Sequence, residues 1–253
     1  MSNFLPNDDC VTVVIDGFPA YYWKLSVKDR PAITSPDKQV ETTQILGHMG
    51  DFYEVFAYQD METEISFNYL EDVEDYKAFK AQFYNIRQWL YSGKQLIISD
   101  EPNIYYIIKN VVLGEALNDM VEYGEFSATF TLAPFGRIID DNPITFASQQ
   151  LNDVQLLIET AETCFPKVEF TASTGASEFR INDTMVRFKG LTVGKRYAYD
   201  SDLKSFYEID ANGNFIEQAS KVQTLVFPTF EDGVNLFYCK DMTNITIYPN
   251  KLR

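Results

Sequence analysis

A series of short apolar runs, separated by turn-forming residues, restricts the fold of this sequence more than any other feature. Between residues 167 and 249 the runs are KVEFTAS, EFRIND, TMVRFKGL, KRYAYDSD, SFYEID, NFIEQ, TLVFP, VNLFYCK and NITIYP. Pairs such as Asn182-Asp183 and Asp232-Gly233 separate them and are typical of tight turns. Many short strands at this spacing indicate a β-sandwich, so the sequence predicts two packed sheets in this region.

The first half of the chain carries further strand patterns. The run VTVVIDGFPAYYWKLSV predicts a strand, a turn at Asp16-Gly17 and a second strand. Four more strands are predicted for TEISFNY, KQLIIS, IYYIIKNVV and GEFSATFTLAPFG, which are rich in β-branched and aromatic residues. Aromatic residues make up 15% of the chain, and such rings favour pleated, half-buried surfaces. The sequence therefore predicts a mainly β protein.

One amphipathic helix interrupts these strands, at about residues 71–91. Its apolar residues recur at spacings of three and four, namely Val73, Tyr76, Phe79, Phe83, Ile86 and Leu90. Acidic residues fill the first turn, where the helix dipole stabilises negative charge, and Gly93 follows as a stop signal. We expect Phe79, Phe83 and Ile86 to pack against the N-terminal sheet.

The strand patterns lapse at RIIDDNP, which predicts a domain boundary near residue 140. The first domain, residues 1–140, is predicted to be a β-sandwich with the helix. The second, residues 141–253, is predicted to be a second β-sandwich. A chain of 253 residues is long enough for both domains to form cores.

Residues 32–58 form a long polar stretch of predicted extended chain. Pro31 and Pro36 keep its start irregular, and Gly47 and Gly50 punctuate its middle. Such a segment buries too little of its own apolar surface to offset the entropy of ordering. Long irregular segments inside compact domains are often functional. We therefore interpret it as an arm that is ordered against another surface, and a loop folded over its own domain is the alternative.

Catalytic and cofactor signatures are absent from the sequence. His48 is its single histidine, and no zinc, nucleotide-binding or nucleophile motif occurs. The three cysteines, Cys10, Cys164 and Cys239, are widely spaced and are predicted to be reduced, small core residues. A net charge of −16 disfavours a nucleic-acid-binding surface. No signal peptide or membrane span is predicted. We predict no catalytic, cofactor-binding or metal-binding residues.

Two other functions stay open on the residues alone. Six aromatic rings of the second domain could stack on a sugar or could form the sandwich core, and we favour the core. These residues are Tyr197, Tyr199, Phe206, Tyr207, Phe237 and Tyr238. A cell-wall glycosidase would need two carboxylates facing each other across a groove. The adjacent pairs Asp8-Asp9, Asp140-Asp141 and Glu231-Asp232 are weak candidates, because neighbours in a strand point to opposite faces.

An ordered set of segments resembles one known family. In the first half they are VVIDGFPAYY, ILGHMGDF, ISFNYLED, IRQWLYSGKQLIISDEPNIYYIIKNV and GEFSATFTLAPFGR. In the second half they are PKVEFTAS, YAYDSDLKSFYE and VFPTFEDGVNLFYCKDMTNITIYP. In this order they resemble the distal tail proteins (Dit) of phages with long non-contractile tails, especially the baseplate hubs of phages that infect lactic-acid bacteria.

The resemblance implies a structural virion protein at the tail tip, made in the cytoplasm of the host bacterium, with no enzymatic activity and no cofactor. The first domain would form a homohexameric ring, and the second would be a galectin-like sandwich. The ring would join the tail tube protein to the baseplate and host-recognition apparatus. Implied partners are tail-associated lysin or fibre proteins and upper baseplate or receptor-binding proteins. DNA would only pass through the channel, and no membrane is involved.

The arm would then close the ring. Its predicted assembly residues are Thr42, Ile45, Gly47, Gly50, Asp51 and Phe52. The alternative function is a carbohydrate-binding protein that recognises a host cell-wall glycan through its C-terminal domain.

Overall fold

The computed structural model describes residues 11–44, 49–69, 76–114, 124–139, 141–147 and 150–253, except for the side chains of residues 56 and 76–79. The chain divides into two compact units, Met1–Gly136 and Arg137–Arg253. Strands dominate both, and the described residues contain one α-helix, which confirms the predicted mainly β fold.

The first unit is built from short strands and the helix α1. Its elements are β1 (Val13–Ile15), β2 (Phe18–Pro19), a 3-10 helix (Ala20–Trp23), β3 (Leu25–Val27), β4 (Lys38–Gln44), β5 (Asp51–Tyr58), β6 (Met61–Tyr69), α1 (Tyr76–Ser92), β7 (Gln95–Ile98), β8 (Ile104–Leu113) and β9 (Glu125–Leu132). The predicted strands β6 to β9 and the end of the predicted helix are confirmed. The predicted helix start lies outside the described residues.

Most strands of this unit form one curled sheet in the order β2-β1-β7-β8-β9-β6-β3. Strand β8 is shared, because its first half pairs with β7 and its second half with β9, with a register shift between Ile108 and Asn110. Strands β2 and β3 lie at opposite ends of this order, although only residues 20–24 connect them. Six chain steps reach at most about 20 Å, so the sheet must curl until its two edges approach each other.

The predicted first hairpin is only partly correct. Asp16 and Gly17 both have positive φ angles, 48° and 83°, which suits the tight turn between β1 and β2. The predicted second strand is wrong, because it is split into β2 and β3. Pro19 has no N–H to continue the ladder, and the chain enters the 3-10 helix directly after it.

Helix α1 covers the core of the curled sheet with the predicted apolar stripe. Ile86 and Leu90 are fully buried, and Phe83 packs edge-on against Phe126 of β9 with ring centroids 5.4 Å apart. The side chain of Phe79 lies outside the description. Gly93 directly follows the helix, as expected, but its role is close approach: a Cβ there would lie 2.3 Å from Cγ2 of Ile15.

The second unit contains two sheets. Its elements are β10 (Arg137–Ile138), β11 (Ile144–Phe146), β12 (Gln150–Ile158), β13 (Lys167–Ala172), β14 (Ala176–Ile181), β15 (Thr184–Lys189), β16 (Arg196–Asp200), β17 (Ser205–Ile209), β18 (Phe215–Glu217), a 3-10 helix (Ala219–Lys221), β19 (Gly233–Lys240) and β20 (Met242–Tyr248). One sheet has the order β11-β20-β13-β16-β17-β18, and the other has the order β12-β19-β14-β15.

Aromatic rings from both sheets meet in one core, which gives the predicted β-sandwich. Phe188 of β15 contacts Phe206 of β17 with ring centroids 4.5 Å apart, and it also contacts Phe170 of β13. The predicted strand TLVFP is wrong, because residues 224–228 adopt no strand. The side chains there still serve the core, since Val226 and Phe227 pack against it.

Candidate assembly surface

Strands β4 and β5, which carry the predicted arm, form an antiparallel hairpin. Its register runs from Lys38 opposite Tyr58 to Gln44 opposite Asp51, with an irregularity between Gln39 and Val40. Among the described residues, these two strands pair only with each other. The arm is therefore extended as predicted, but it folds back on itself. The backbone groups along both outer edges of the hairpin pair with no described strand, so they are available to another strand.

The base of this hairpin is fixed to the rest of the first unit. The backbone N–H of Gln59 donates to the carbonyl oxygen of Asp37 at 2.9 Å, which closes the base of the hairpin itself, and two further contacts reach other elements. The ring of Tyr58 meets that of Phe135 edge-on, with centroids 4.8 Å apart. Lys109 bonds to Asp60 at 2.5 Å immediately after β5. These contacts hold the residues at the base, whereas the described residues farther out are solvent-exposed.

Large apolar side chains are exposed on both faces of the hairpin. Phe52 and Tyr53 are 60% and 65% exposed, and Val40 and Val55 are exposed as well. Directly opposed residues share a face, so Val40, Val55 and Tyr53 lie on one face and Phe52 lies on the other. Exposed apolar side chains grouped on one element are typical of an interaction surface.

Like charges also oppose each other across the hairpin. Glu41 is the direct partner of Glu54, and both side chains are exposed. Like charges directly opposite in an antiparallel pair are destabilising. The repulsion between these two carboxylates therefore destabilises the isolated hairpin, and a cation or hydrogen-bond donor of a partner would relieve it.

The structure locates four of the six predicted assembly residues. Thr42 lies in β4 opposite Tyr53, and Phe52 lies in β5 opposite Thr43. Asp51 begins β5, and Gly50 precedes it with a φ of 102°, a backbone conformation that favours glycine. Ile45 and Gly47, like His48, lie outside the described residues. Sequence reasoning missed Val40, Tyr53 and Val55, because their common face appears only once the hairpin register is known.

The rings considered for sugar stacking in the second unit are mostly core residues. Tyr197, Tyr199, Phe206 and Phe237 are fully or almost fully buried, and Tyr207 is buried beneath Phe215. Tyr238 is half-buried and donates to Glu178 at 3.2 Å. The stacking platform is therefore a wrong interpretation of these residues. The sandwich-core interpretation is correct for four of the six, and Tyr207 is buried in a separate small cluster with Ala198 and Ile209.

The two described cysteines are buried core residues, as predicted. Cys164 and Cys239 are fully buried and free of disulfides. Burial raises the pKa of each thiol to about 11, which keeps it protonated and unreactive near neutral pH. Cys10 lies outside the described residues.

The described part of the chain offers neither a metal centre nor a membrane span built from a helix. No group of three or more His, Cys, Asp or Glu side chains there is arranged to hold a metal ion. No described helix has the length and apolar character needed to cross a membrane.

Solved structures share this fold over nearly the whole chain. The Dit protein of phage SPP1, described as a paradigm of the hub adsorption apparatus of phages infecting Gram-positive bacteria, matches with a TM-score of 0.66 and 13% identity, covering 94% of this chain and 96% of that chain. A chain of the phage P2 baseplate in its activated conformation with calcium matches with a TM-score of 0.58 and 10% identity, covering 96% and 97%. The strontium form of that baseplate gives 0.54 and 11%, with the same coverage.

No protein-family model and no curated protein sequence matches this chain. At these low identities the solved structures define the fold alone: it is the fold of phage hub and baseplate proteins, in both units and in chain order. The resemblance to Dit proteins is thereby confirmed at the level of the fold. The closer resemblance to hubs of lactic-acid-bacteria phages stays a prediction.

Proposed function

We propose that this protein is a structural component of a phage tail tip, a distal tail hub that joins the tail tube to the baseplate and host-recognition apparatus. The proposal rests on the structural match to a hub adsorption protein, which covers 94% of this chain and 96% of that one. A match that spans both units supports a common architecture rather than one shared module. In this role the protein has no catalytic function.

We further propose that six copies close into a ring through the first domain, residues 1–140, with the hairpin crossing to the next copy. Its unpaired edges and exposed apolar side chains support this role, because strand addition would satisfy the free backbone groups and bury the side chains together. Cyclic closure needs identical head-to-tail contacts, and one hairpin per copy supplies them. The second domain, residues 141–253, would then present surfaces to lysin, fibre or receptor-binding proteins.

The ring is tested by measuring the mass of the purified full chain with native mass spectrometry and light scattering. We expect six copies for the wild type. Replacing residues 42–52 by a short glycine linker should give a folded monomer, because β4 and β5 pair with nothing else that is described.

A double substitution provides a milder version of this test. Phe52→Ser with Tyr53→Ser removes one ring from each hairpin face and should shift the mass towards the monomer. The matched control is Leu203→Ser, which changes an exposed apolar residue of the second unit and should leave the ring intact. A hairpin-deleted protein that keeps the mass of six copies would refute the crossing hairpin but not the hub assignment.

A further inference from the structure

The exposed side of helix α1 carries a regular row of rings and cations. Its members recur at spacings of four, three and four residues, which places them in one line along the helix. Tyr84 and Tyr91 are 66% and 52% exposed, so the row lies outside the packed core that holds Ile86 and Leu90. We call this row the outer stripe, and it consists of Lys80, Tyr84, Arg87 and Tyr91.

The outer stripe has the composition of a protein-binding surface. Tyrosine and arginine are enriched at protein interfaces and among the residues that contribute most to affinity. The guanidinium group of Arg87 lies over the ring of Tyr91, 5.7 Å from the ring centroid, so this pair is already ordered in the single copy. The ion pairs among the described residues of the first unit do not include Arg87. Its charge is therefore available to a carboxylate from another molecule.

The charge of α1 selects an acidic partner. Between Tyr76 and Ser92 the chain contains Lys77, Lys80 and Arg87 but no Asp or Glu, whereas the whole chain has a net charge of −16. A basic surface on an acidic chain attracts acidic segments and repels basic ones. In a ring of identical copies, the neighbouring copy can supply the acidic segment.

One face of the β4–β5 hairpin has the matching chemistry. Glu41 and Glu54 are directly opposite each other, so both carboxylates project from the same face. Phe52 lies two residues before Glu54 in β5, which puts its ring on that face as well. All three side chains are exposed, and the ion pairs among the described residues of the first unit involve neither glutamate. We call Glu41, Phe52 and Glu54 the acidic face.

The spacings on the two surfaces agree. Phe52 and Glu54 are two residues apart in a strand, which is about 7 Å. Arg87 and Tyr91 are four residues apart in a helix, which is about 6 Å. When Arg87 lies against the two glutamates, Phe52 therefore reaches the ring of Tyr91. The planar guanidinium group can donate to both carboxylates at once, which removes the repulsion between them.

We propose that the acidic face of one copy docks on the outer stripe of the next copy, with Arg87 bound between Glu41 and Glu54 and with Phe52 against Tyr91. This inference rests on the ring proposed above and names the surface that receives the hairpin. The contact uses one face of the hairpin, so the hairpin edges stay available for strand addition. Each copy contributes one acidic face and one outer stripe, as a head-to-tail ring requires.

Charge reversal in the full chain tests this contact. Arg87→Glu places a third carboxylate against Glu41 and Glu54. The protein concentration at which half of the copies are assembled should therefore rise at least about tenfold, measured by light scattering and native mass spectrometry. The matched control is Lys189→Glu, which makes the same change of charge at an exposed position of the second unit and should leave assembly unchanged. Far-UV circular dichroism checks that both variants are folded.

The reciprocal reversal should rescue assembly. Glu41→Arg with Glu54→Arg should weaken the ring by itself, because three cations then meet. Combined with Arg87→Glu, it restores opposite charges across the contact. The combined variant should therefore assemble at least about tenfold better than either parent variant.

A covalent cross-link locates the contact between copies. Phe52→Cys with Tyr91→Cys, in a Cys10→Ser background, is treated with a short bis-maleimide reagent. The remaining cysteines, Cys164 and Cys239, are buried and should not react. We expect a ladder of covalent multimers up to six copies, whereas either single cysteine should give no product larger than two copies.

The docking is wrong if Arg87→Glu assembles like Lys189→Glu, or if the combined reversal is no better than its parents. Cross-links confined to single copies would also refute it, since the hairpin would then fold over its own helix. In each of these cases a wild-type mass of six copies would leave the ring proposal intact. A wild-type protein that stays a single copy at every concentration would overturn the ring and the docking together.

Discussion

The two units differ in where their large aromatic side chains lie. In Arg137–Arg253 most rings point into the space between the two sheets, and Phe215 is the main exception. In Met1–Gly136 the core also holds rings such as Phe67 and Phe130, but others are exposed on the hairpin, near the 3-10 helix and on α1: Phe18, Tyr21, Tyr22, Phe52, Tyr53, Tyr84 and Tyr91. The difference teaches that a high aromatic content alone does not distinguish a core from a binding surface. Rings within clean strand alternation are buried, whereas those outside it are available for contacts.

The sharpest test of this contrast compares one ring from each unit. Phe188→Ala should lower the free energy of unfolding by about 3–5 kcal/mol, because it removes a fully buried ring that contacts several others. Phe52→Ala should change it by less than about 0.5 kcal/mol in the monomer, because that ring is exposed. Urea unfolding followed by far-UV circular dichroism at low protein concentration measures both. Equal destabilisation would mean that the hairpin folds over its own domain.

A smaller effect is expected at the helix of the first unit. Phe83 is half-buried, so Phe83→Ala should cost about 2–3 kcal/mol, less than a fully buried ring. The neighbouring residue Tyr84 is 66% exposed, and Tyr84→Ala should stay within about 0.5 kcal/mol of wild type. Tryptophan fluorescence follows this unfolding, because Trp89 lies in the same helix. If both variants are as stable as wild type, α1 does not stabilise the curled sheet through this stripe.

A further effect is a dependence on alkaline pH in the core of the second unit. Burial raises the pKa of Cys164 and Cys239 from 9.0 to about 11 and that of Tyr199 from 10.0 to about 12. The unfolded chain therefore loses these protons first, and the free energy of unfolding falls as the pH rises above about 9. Urea midpoints at pH 8 and pH 10 measure the fall.

Cys239→Ala is the control for this pH dependence. It removes one of the titrating groups, so the loss of stability between pH 8 and pH 10 should become smaller. Both tryptophans belong to the first unit, so fluorescence separates its transition from that of the second unit. An unchanged midpoint of the second unit across this pH range would contradict the buried, protonated state of the thiols.

Local patterns allowed much of the fold to be predicted from the sequence. The spacing of Phe83, Ile86 and Leu90 identified α1, and the alternation of Phe126, Ala128, Phe130 and Leu132 identified β9. The opening run was mispredicted, because Pro19 and the 3-10 helix send β2 and β3 to opposite edges of the sheet. The short distance between β2 and β3 in the sequence does not show with which strands they pair.

The candidate sites were harder to predict for the same reason. The polar composition of residues 32–58 indicated an arm, but not that β4 and β5 would pair with each other. The contact between the rings of Trp23 and Trp89, with centroids 6.1 Å apart, was missed entirely, because these residues are distant in sequence and belong to no local motif. Only the curl of the sheet brings the 3-10 helix and α1 together.

The place of β20 has a consequence for how the protein is made. This strand lies between β11 and β13, so the larger sheet of the second unit lacks one of its inner strands until Met242–Tyr248 has been synthesised. About 70 residues separate the end of β13 from β20, which at 5–20 residues per second is a delay of about 4–14 s on the ribosome. During that time β13 exposes an unpaired edge and its apolar face. A chain that stalls between these two strands cannot close its second unit, so it becomes a substrate for chaperones and proteases.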